Sequence, residues 1–194
     1  NIINTKLTTF DNKAIYVPNG QISSGKIINF SREEAMGTGS YGIAPDHMFL
    51  GIIRHRENTA IDALRGVVID IDEMKQFIDS RIFTNEHIPY SDIDKVTFSR
   101  GAQNVLSFMI LEATKVRSFQ ASSQHLLLAL CRTSSYGMTY LQDLGVDYDR
   151  IYKYLDRNEM LDRNTADQEN KPEEHEEEAP KIRIRAVQQE QKEP

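Results

Sequence analysis

One pattern is written twice in this chain, and a duplicated pattern constrains architecture before any single motif does. The segment HMFLGIIR at 47–54 aligns with HLLLALCR at 125–132. Upstream, without a gap, Glu34 and Ala35 fall on Glu112 and Ala113, Ser40 on Ser118 and Tyr41 on Phe119. One gap beside Thr59 then carries Leu64 onto Leu141, Ile69 onto Val146, Asp70 onto Asp147, Asp72 onto Asp149 and Asp79 onto Asp156. Apolar positions meet apolar positions, so the chain is expected to build one unit twice.

Each unit reads as helices. Ala102, Val105, Leu106, Met109, Ile110 and Ala113 recur at the spacing of a helix with one buried face, which predicts a helix over 99–116. Ser122 is placed to cap the next helix, Gly145 to end a third and Asp147 to cap a fourth that turns Ile151, Tyr154 and Leu155 inward. In the first copy Pro45 suits a first helical position, Gly66 a helix stop, and Asp70 with Glu73 a capping box. Four short helices bury their apolar faces poorly alone. The expected fold is mainly α: two four-helix repeats packed as one pseudo-symmetric domain over 30–157.

The flanks differ. Within 1–29, residues 7–10 and 14–17 flank Asp11 and Asn12, a polar pair suited to a tight turn, which predicts a β-hairpin. From 158 to 194 the chain is charged and carries EEHEEE at 173–178. Such a segment buries too little apolar surface to offset its ordering entropy, so a disordered acidic linker is expected. The chain begins at Asn1 rather than Met, which suggests a fragment or processed piece.

The net charge of −6, with no concentrated Lys/Arg face, argues against nucleic acid as a partner. No apolar run reaches the roughly 18 to 20 residues of a membrane span. The single Cys131 sits beside the apolar run 126–130 and reads as a reduced core thiol, pointing to the cytoplasm. GQISSGK at 20–26 has the spacing of a phosphate-binding loop, but Ile27 stands where a hydroxyl should hold Mg²⁺. RGVVID at 65–70 imitates a strand ending in a metal-binding Asp, although its counterpart at 143–147 reads as a helix stop and cap. His47 and His125 lack companions at zinc-ligand spacing. No catalytic residue, cofactor or metal is expected.

The strings SREEAMGTGSYGIAPDHMFLGIIRH and FSRGAQNVLSFMILEATKVRSFQASSQHLLLALCR resemble the Clp N-terminal repeat over 31–156. The resemblance implies an all-helical domain ahead of AAA+ ATPase rings, where it recruits adaptors and unfolded or tagged substrates for unfolding and for a partnered protease. In some relatives the acidic residue before the repeated His, with a Ser or Thr at the start of the first helix, helps bind phosphorylated arginine. The matching positions are Asp46, Gln124 and Ser99, with Gln124 lacking the charge a guanidinium pairs with and helix capping as the alternative role.

Residues 1–33 instead resemble the β-domain of small-conductance mechanosensitive channels, in which a hairpin and a Pro-Asn-Gly turn precede a strand ending in Asn-Phe-Ser-Arg. The two resemblances collide at 27–35, where a channel strand would end at Phe30, Ser31 and Arg32 while the repeat requires a helix. Counterparts of 98–103 fall on the turn-like 20–25, so the first copy is expected to lack about half its opening helix. The junction has two readings: a gene fusion, or a misassembled reading frame joining a channel β-domain fragment to a Clp repeat.

Overall fold

A computed structural model describes residues 25–163 in full, together with the backbone of two strands, β1 (Asn4–Thr8) and β2 (Ala14–Pro18). The remainder of the expected linker, 164–194, lies outside the described residues, as do 19–24 of the loop-like segment and the hairpin connection 9–13. The strands pair antiparallel from Asn4 with Pro18 to Thr8 with Ala14. The tight turn expected at Asp11 and Asn12 lies outside the described residues.

Helix by helix, local capping and one apolar stripe decide the structure. α1 spans Gly25–Gly37, α2 Pro45–His55, α3 Thr59–Gly66 and α4 Ile71–Ile82. The second copy supplies α5 (Arg100–Lys115), α6 (Ser123–Leu130), α7 (Tyr136–Asp143) and α8 (Tyr148–Arg157). Ser99 caps α5 by accepting the Ala102 N–H at 3.2 Å. Asp70 and Asp147 cap α4 and α8, accepting from Glu73 and Arg150 at 2.9 Å each. Glu73 faces the Tyr140 hydroxyl at 3.4 Å. Between the copies a 3₁₀ turn, Tyr90–Lys95, leads into β4, Thr97–Phe98, which pairs in parallel with β3, Gly42–Ile43. The Ser99 N–H donates to the Ile43 carbonyl at 3.0 Å, so the start of the second copy is stitched onto the first.

The opening helix of the first copy is more complete than its sequence suggests. α1 begins at Gly25, the counterpart of Gln103, and so lacks only the first turn of α5 rather than half of it. Residues 27–32 are helical, not the end of a strand. The reason is the stripe Ile27, Ser31 and Ala35, all buried, which lies on α2 at Gly51. A Cβ at Gly51 would stand 2.6 Å from the Ile27 carbonyl oxygen and 2.3 Å from the Ser31 hydroxyl, so two helix backbones can meet here only over glycine.

The copies share one core. Phe49 is fully buried and packs where Gly137 has no side chain, α2 against α7; Gly66 receives the ring of Tyr154, α3 against α8; Phe77 and Tyr140 meet at 5.3 Å, α4 against α7. Leu161, beyond the expected domain end at 157, is 2% exposed and belongs to the same core.

Gly66 is thus the last residue of α3 and a packing glycine, not the left-handed stop. That conformation falls on Val68, with φ of 69°, the counterpart of Gly145, also at 69°. The flanking bonds match: Val68 N–H to Arg65 and Ile69 N–H to Leu64 in one copy, Gly145 N–H to Gln142 and Val146 N–H to Leu141 in the other. A β-branched residue is strained in this region. Val68 is 83% exposed and buries nothing in return. Val68→Gly is therefore expected to raise stability by about 0.5–1 kcal/mol and Gly145→Val to lower it by about 1–2 kcal/mol in urea unfolding.

Candidate docking site

The repeated histidines come together with the candidate residues at the N-termini of α2 and α6. His47 Nδ1 accepts the Ala44 N–H at 2.9 Å, and His125 Nδ1 accepts the Ser122 N–H at 3.0 Å. Each ring therefore closes its own helix start. An accepting Nδ1 carries no proton, which leaves the proton on Nε2. His47 Nε2–H donates to the Thr38 hydroxyl at 2.9 Å, and Thr38 donates to the Ala35 carbonyl at 3.0 Å. His125 lacks that relay because Val116 stands in place of Thr38, and its buried Nε2 makes no hydrogen bond among the described residues. Burial pushes His47 down to about 4 and lowers His125 in the same direction.

Asp46, 8% exposed, reaches the other copy and accepts the Gly137 N–H at 2.9 Å, near the start of α7. Burial raises its pKa, and the Gly137 and Tyr136 backbone groups pull the other way. Ser99 is also brought to this end of the molecule: Gly101, the second residue of α5, packs against Pro45, and the Ser99 hydroxyl is occupied as the α5 cap. The structure thus joins Ser99 to the Asp46 end, not to Gln124 of its own copy.

Gln124 is fully buried. Its Nε2 donates to Asp162, while its Oε1 has no partner among the described residues. The equivalent of the Asp46–Gly137 bond is made by its neighbour Ser123, whose hydroxyl accepts the Ala60 N–H of α3 at 3.3 Å. Beside Gln124 lies a cavity of about 250 Å³ lined by Lys26, Glu57, Thr59 and Asp162 among others. Lys26 stands in the first turn of α1, and Asp70 is a helix cap. Among the described residues no cluster of three or more His, Cys, Asp or Glu is placed to hold a metal ion. Burial pushes the Cys131 thiol up to about 12.

A pairing the sequence reading missed is the ion pair from the opening helix to the Leu-rich helix. Arg132 meets Glu112 at 3.0 Å, and Arg54 meets Glu34 at 3.2 Å and Glu33 at 2.8 Å. Its signal was present, since Glu34 aligns with Glu112 and Arg54 with Arg132 at one offset.

These features define an all-helical domain built from a duplicated, cross-capped repeat. Residues 23–144 match the family model "Clp repeat (R) N-terminal domain", and the chain belongs to that family. Residues 1–32 match the model "Mechanosensitive ion channel, beta-domain". Among curated relatives, the chain is 24% identical over 126 residues to the negative regulator of genetic competence ClpC/MecB of Bacillus subtilis. It is 25% identical over 126 residues to the chaperone protein ClpB of Oceanobacillus iheyensis. Each alignment covers 64% of this chain and 15% of the relative, so the chain spans a small part of these proteins' length. A small-conductance mechanosensitive channel of Edwardsiella ictaluri is 31% identical over 111 residues, 56% of this chain and 31% of the channel.

Solved structures share the fold. The Hsp104 N-terminal domain of Candida albicans superposes with a TM-score of 0.57 at 17% identity, covering 71% of this chain and 91% of that domain. The N-domain of ClpV from Vibrio cholerae gives 0.60 at 15% identity, with 74% and 87% covered. No described helix is long and apolar enough to cross a membrane.

Proposed function

We propose that this chain is the docking domain through which a Clp-type AAA+ unfoldase takes in adaptors and unfolded or tagged proteins, as one module of a longer protein that carries the ATPase rings and engages a protease. The observation that carries this reading is the cavity beside Gln124, where a buried carbonyl oxygen has no donor among the described residues. Asp162, bonded to the same side chain, supplies the carboxylate that Gln124 itself lacks, and Lys26 stands on the lining. A carbonyl and a carboxylate accept from a guanidinium, and an ammonium pairs with phosphate, so the cavity suits a phosphorylated arginine. Asp46 and Ser99 form the matching end of the surface. Both already hold helix starts there, so we assign them the weaker share of binding.

The reading has no catalytic step and no cofactor. It fits a reducing, cytoplasmic setting, in keeping with the half-buried free thiol of Cys131. The test is calorimetric titration of the full chain with an arginine-phosphate peptide. Gln124→Glu is expected to tighten binding and Asp162→Asn to weaken it, each by roughly tenfold for one charge-assisted hydrogen bond. Asp46→Ala should lower stability more than affinity. ATP should give no heat and no hydrolysis. Unchanged affinity in both Gln124→Glu and Asp162→Asn would remove the cavity from the docking surface.

A second reading, a channel β-domain segment joined to a Clp repeat, is favoured by the hairpin and the model matching residues 1–32. It concerns that segment alone and implies no pore.

A further inference from the structure

The two copies treat their shared ion pair differently. In the second, Glu112 is 2% exposed because α8 lays a tyrosine over it: the Tyr148 hydroxyl donates to Glu112 at 2.7 Å, and the Arg132 guanidinium lies 4.9 Å from the ring centre. Tyr152 stacks on Tyr148 at 5.9 Å, and Lys115 sits over both rings. In the first copy the counterparts of these tyrosines are Ile71 and Lys75. No tyrosine covers Glu34 there, Arg54 lies instead 4.9 Å from the ring centre of Phe30 on α1, and a groove of about 480 Å³ opens over buried Ile53, Ile61 and Ile69. Arg56 and Arg65 stand exposed on its lining, which also holds Asp70 and Asp72 of the α4 start, and form no ion pair with another described residue.

We propose that this groove binds a partner's peptide segment carrying one tyrosine flanked by acidic residues. The tyrosine takes the place that Tyr148 occupies in the second copy. Its hydroxyl donates to Glu34, its ring packs on the isoleucines beneath Arg54, and the flanking carboxylates pair with Arg56 and Arg65. The occupant is inferred from the molecule's own second copy, which shows what this scaffold accepts over the Glu–Arg pair, and from Arg56 and Arg65, which have no ion-pair partner among the described residues and set the sign of the flanks. The inference rests on the docking reading only in taking the occupant to be a partner's segment. It places contact on residues of α2, α3 and α4 rather than on Gln124 and Asp162.

The probe is a fluorescently labelled pentapeptide with tyrosine between two pairs of acidic residues, titrated against the full chain by anisotropy. Saturable binding that weakens with added salt is expected. Alanine for the peptide's tyrosine should weaken it by about tenfold, the loss of a packed ring and its cation–π contact. Ile71→Tyr fills the groove from within, as in the second copy, and should abolish binding while helicity stays intact. Arg65→Glu, on an exposed position, should weaken it independently of any effect on folding. Equal binding by Ile71→Tyr and parent, equal binding of the tyrosine and alanine peptides, or no saturable binding would each overturn the proposal. An unfolded client still bound by Ile71→Tyr leaves the docking reading intact, and a parent that binds the pentapeptide but no client sinks that reading alone.

Discussion

Alanine at Leu128 lowers the unfolding free energy by about 2–5 kcal/mol, and alanine at Leu50 does the same. The two leucines are equivalents in the repeat and are 0% and 2% exposed on the helices that form the centre of the shared core. Each truncation removes buried methyl groups and leaves a cavity that neighbours fill only in part. Because α2 touches α7 while α3 touches α6 and α8, damage in either copy reaches both. Denaturant unfolding followed by circular dichroism and by tyrosine fluorescence should therefore stay a single coincident transition in both variants. A loss below about 0.5 kcal/mol at both positions, or two separated transitions, would contradict the shared core.

Acidification from pH 7.5 to 4 removes about 3 kcal/mol of stability through His47 alone, the free-energy equivalent of its displacement from 6.5 to about 4. The sign follows from the direction of the shift. A ring whose pKa is depressed in the folded state contributes stability that is complete above 6.5 and is lost as pH falls toward 4, because the unfolded chain takes up the proton first. The mechanism is structural as well as electrostatic: a proton on Nδ1 would end its acceptance of the Ala44 N–H and open the start of α2. His125 shifts in the same direction and steepens the loss. Asp46 acts oppositely, since burial raises its pKa and its contribution fades as pH rises through the carboxylate range. Urea titrations at pH 7.5 and 4 should show the difference in the parent and a smaller one in His47→Gln. Equal pH dependence in both would dismiss the buried ring as its source.

Much of the fold was legible because its signals are local. Ser99, Asp70 and Asp147 cap helix starts with their side chains, Ser122 stands at the start of α6 where His125 closes the turn, and the stripe from Ala102 to Ala113 gave α5 within a residue at each end. The errors arose where a local signal met a distant partner. α3 does end at Gly66, as its glycine suggested, but that empty side chain also makes room for Tyr154, far along the chain, and the left-handed turn falls on Val68. The start of α1 looked like a turn because 20–25 are turn-like, yet Gly51 on α2 draws Ile27 and Ser31 into helix from the other side.

The candidate site was legible as positions and less so as partners. Alignment brought Asp46, Gln124 and the two histidines to equivalent places, and they are equivalent in space. The bond from Gly137 to Asp46 spans 91 residues and the one from Gln124 to Asp162 spans 38, and no periodicity encodes such contacts. Capping was expected of Asp46 on its own helix; the histidines took that role, and Asp46 turned to α7.

The most direct test of docking is a ¹⁵N chemical-shift titration of the full chain with a permanently unfolded, carboxymethylated client protein. Saturable shifts are expected among backbone amides at 44, 46–47, 57–60 and 122–125, where α2, α3 and α6 begin around the Asp46 and Gln124 ends. A client that leaves every amide of the domain unmoved at saturating concentration would contradict it.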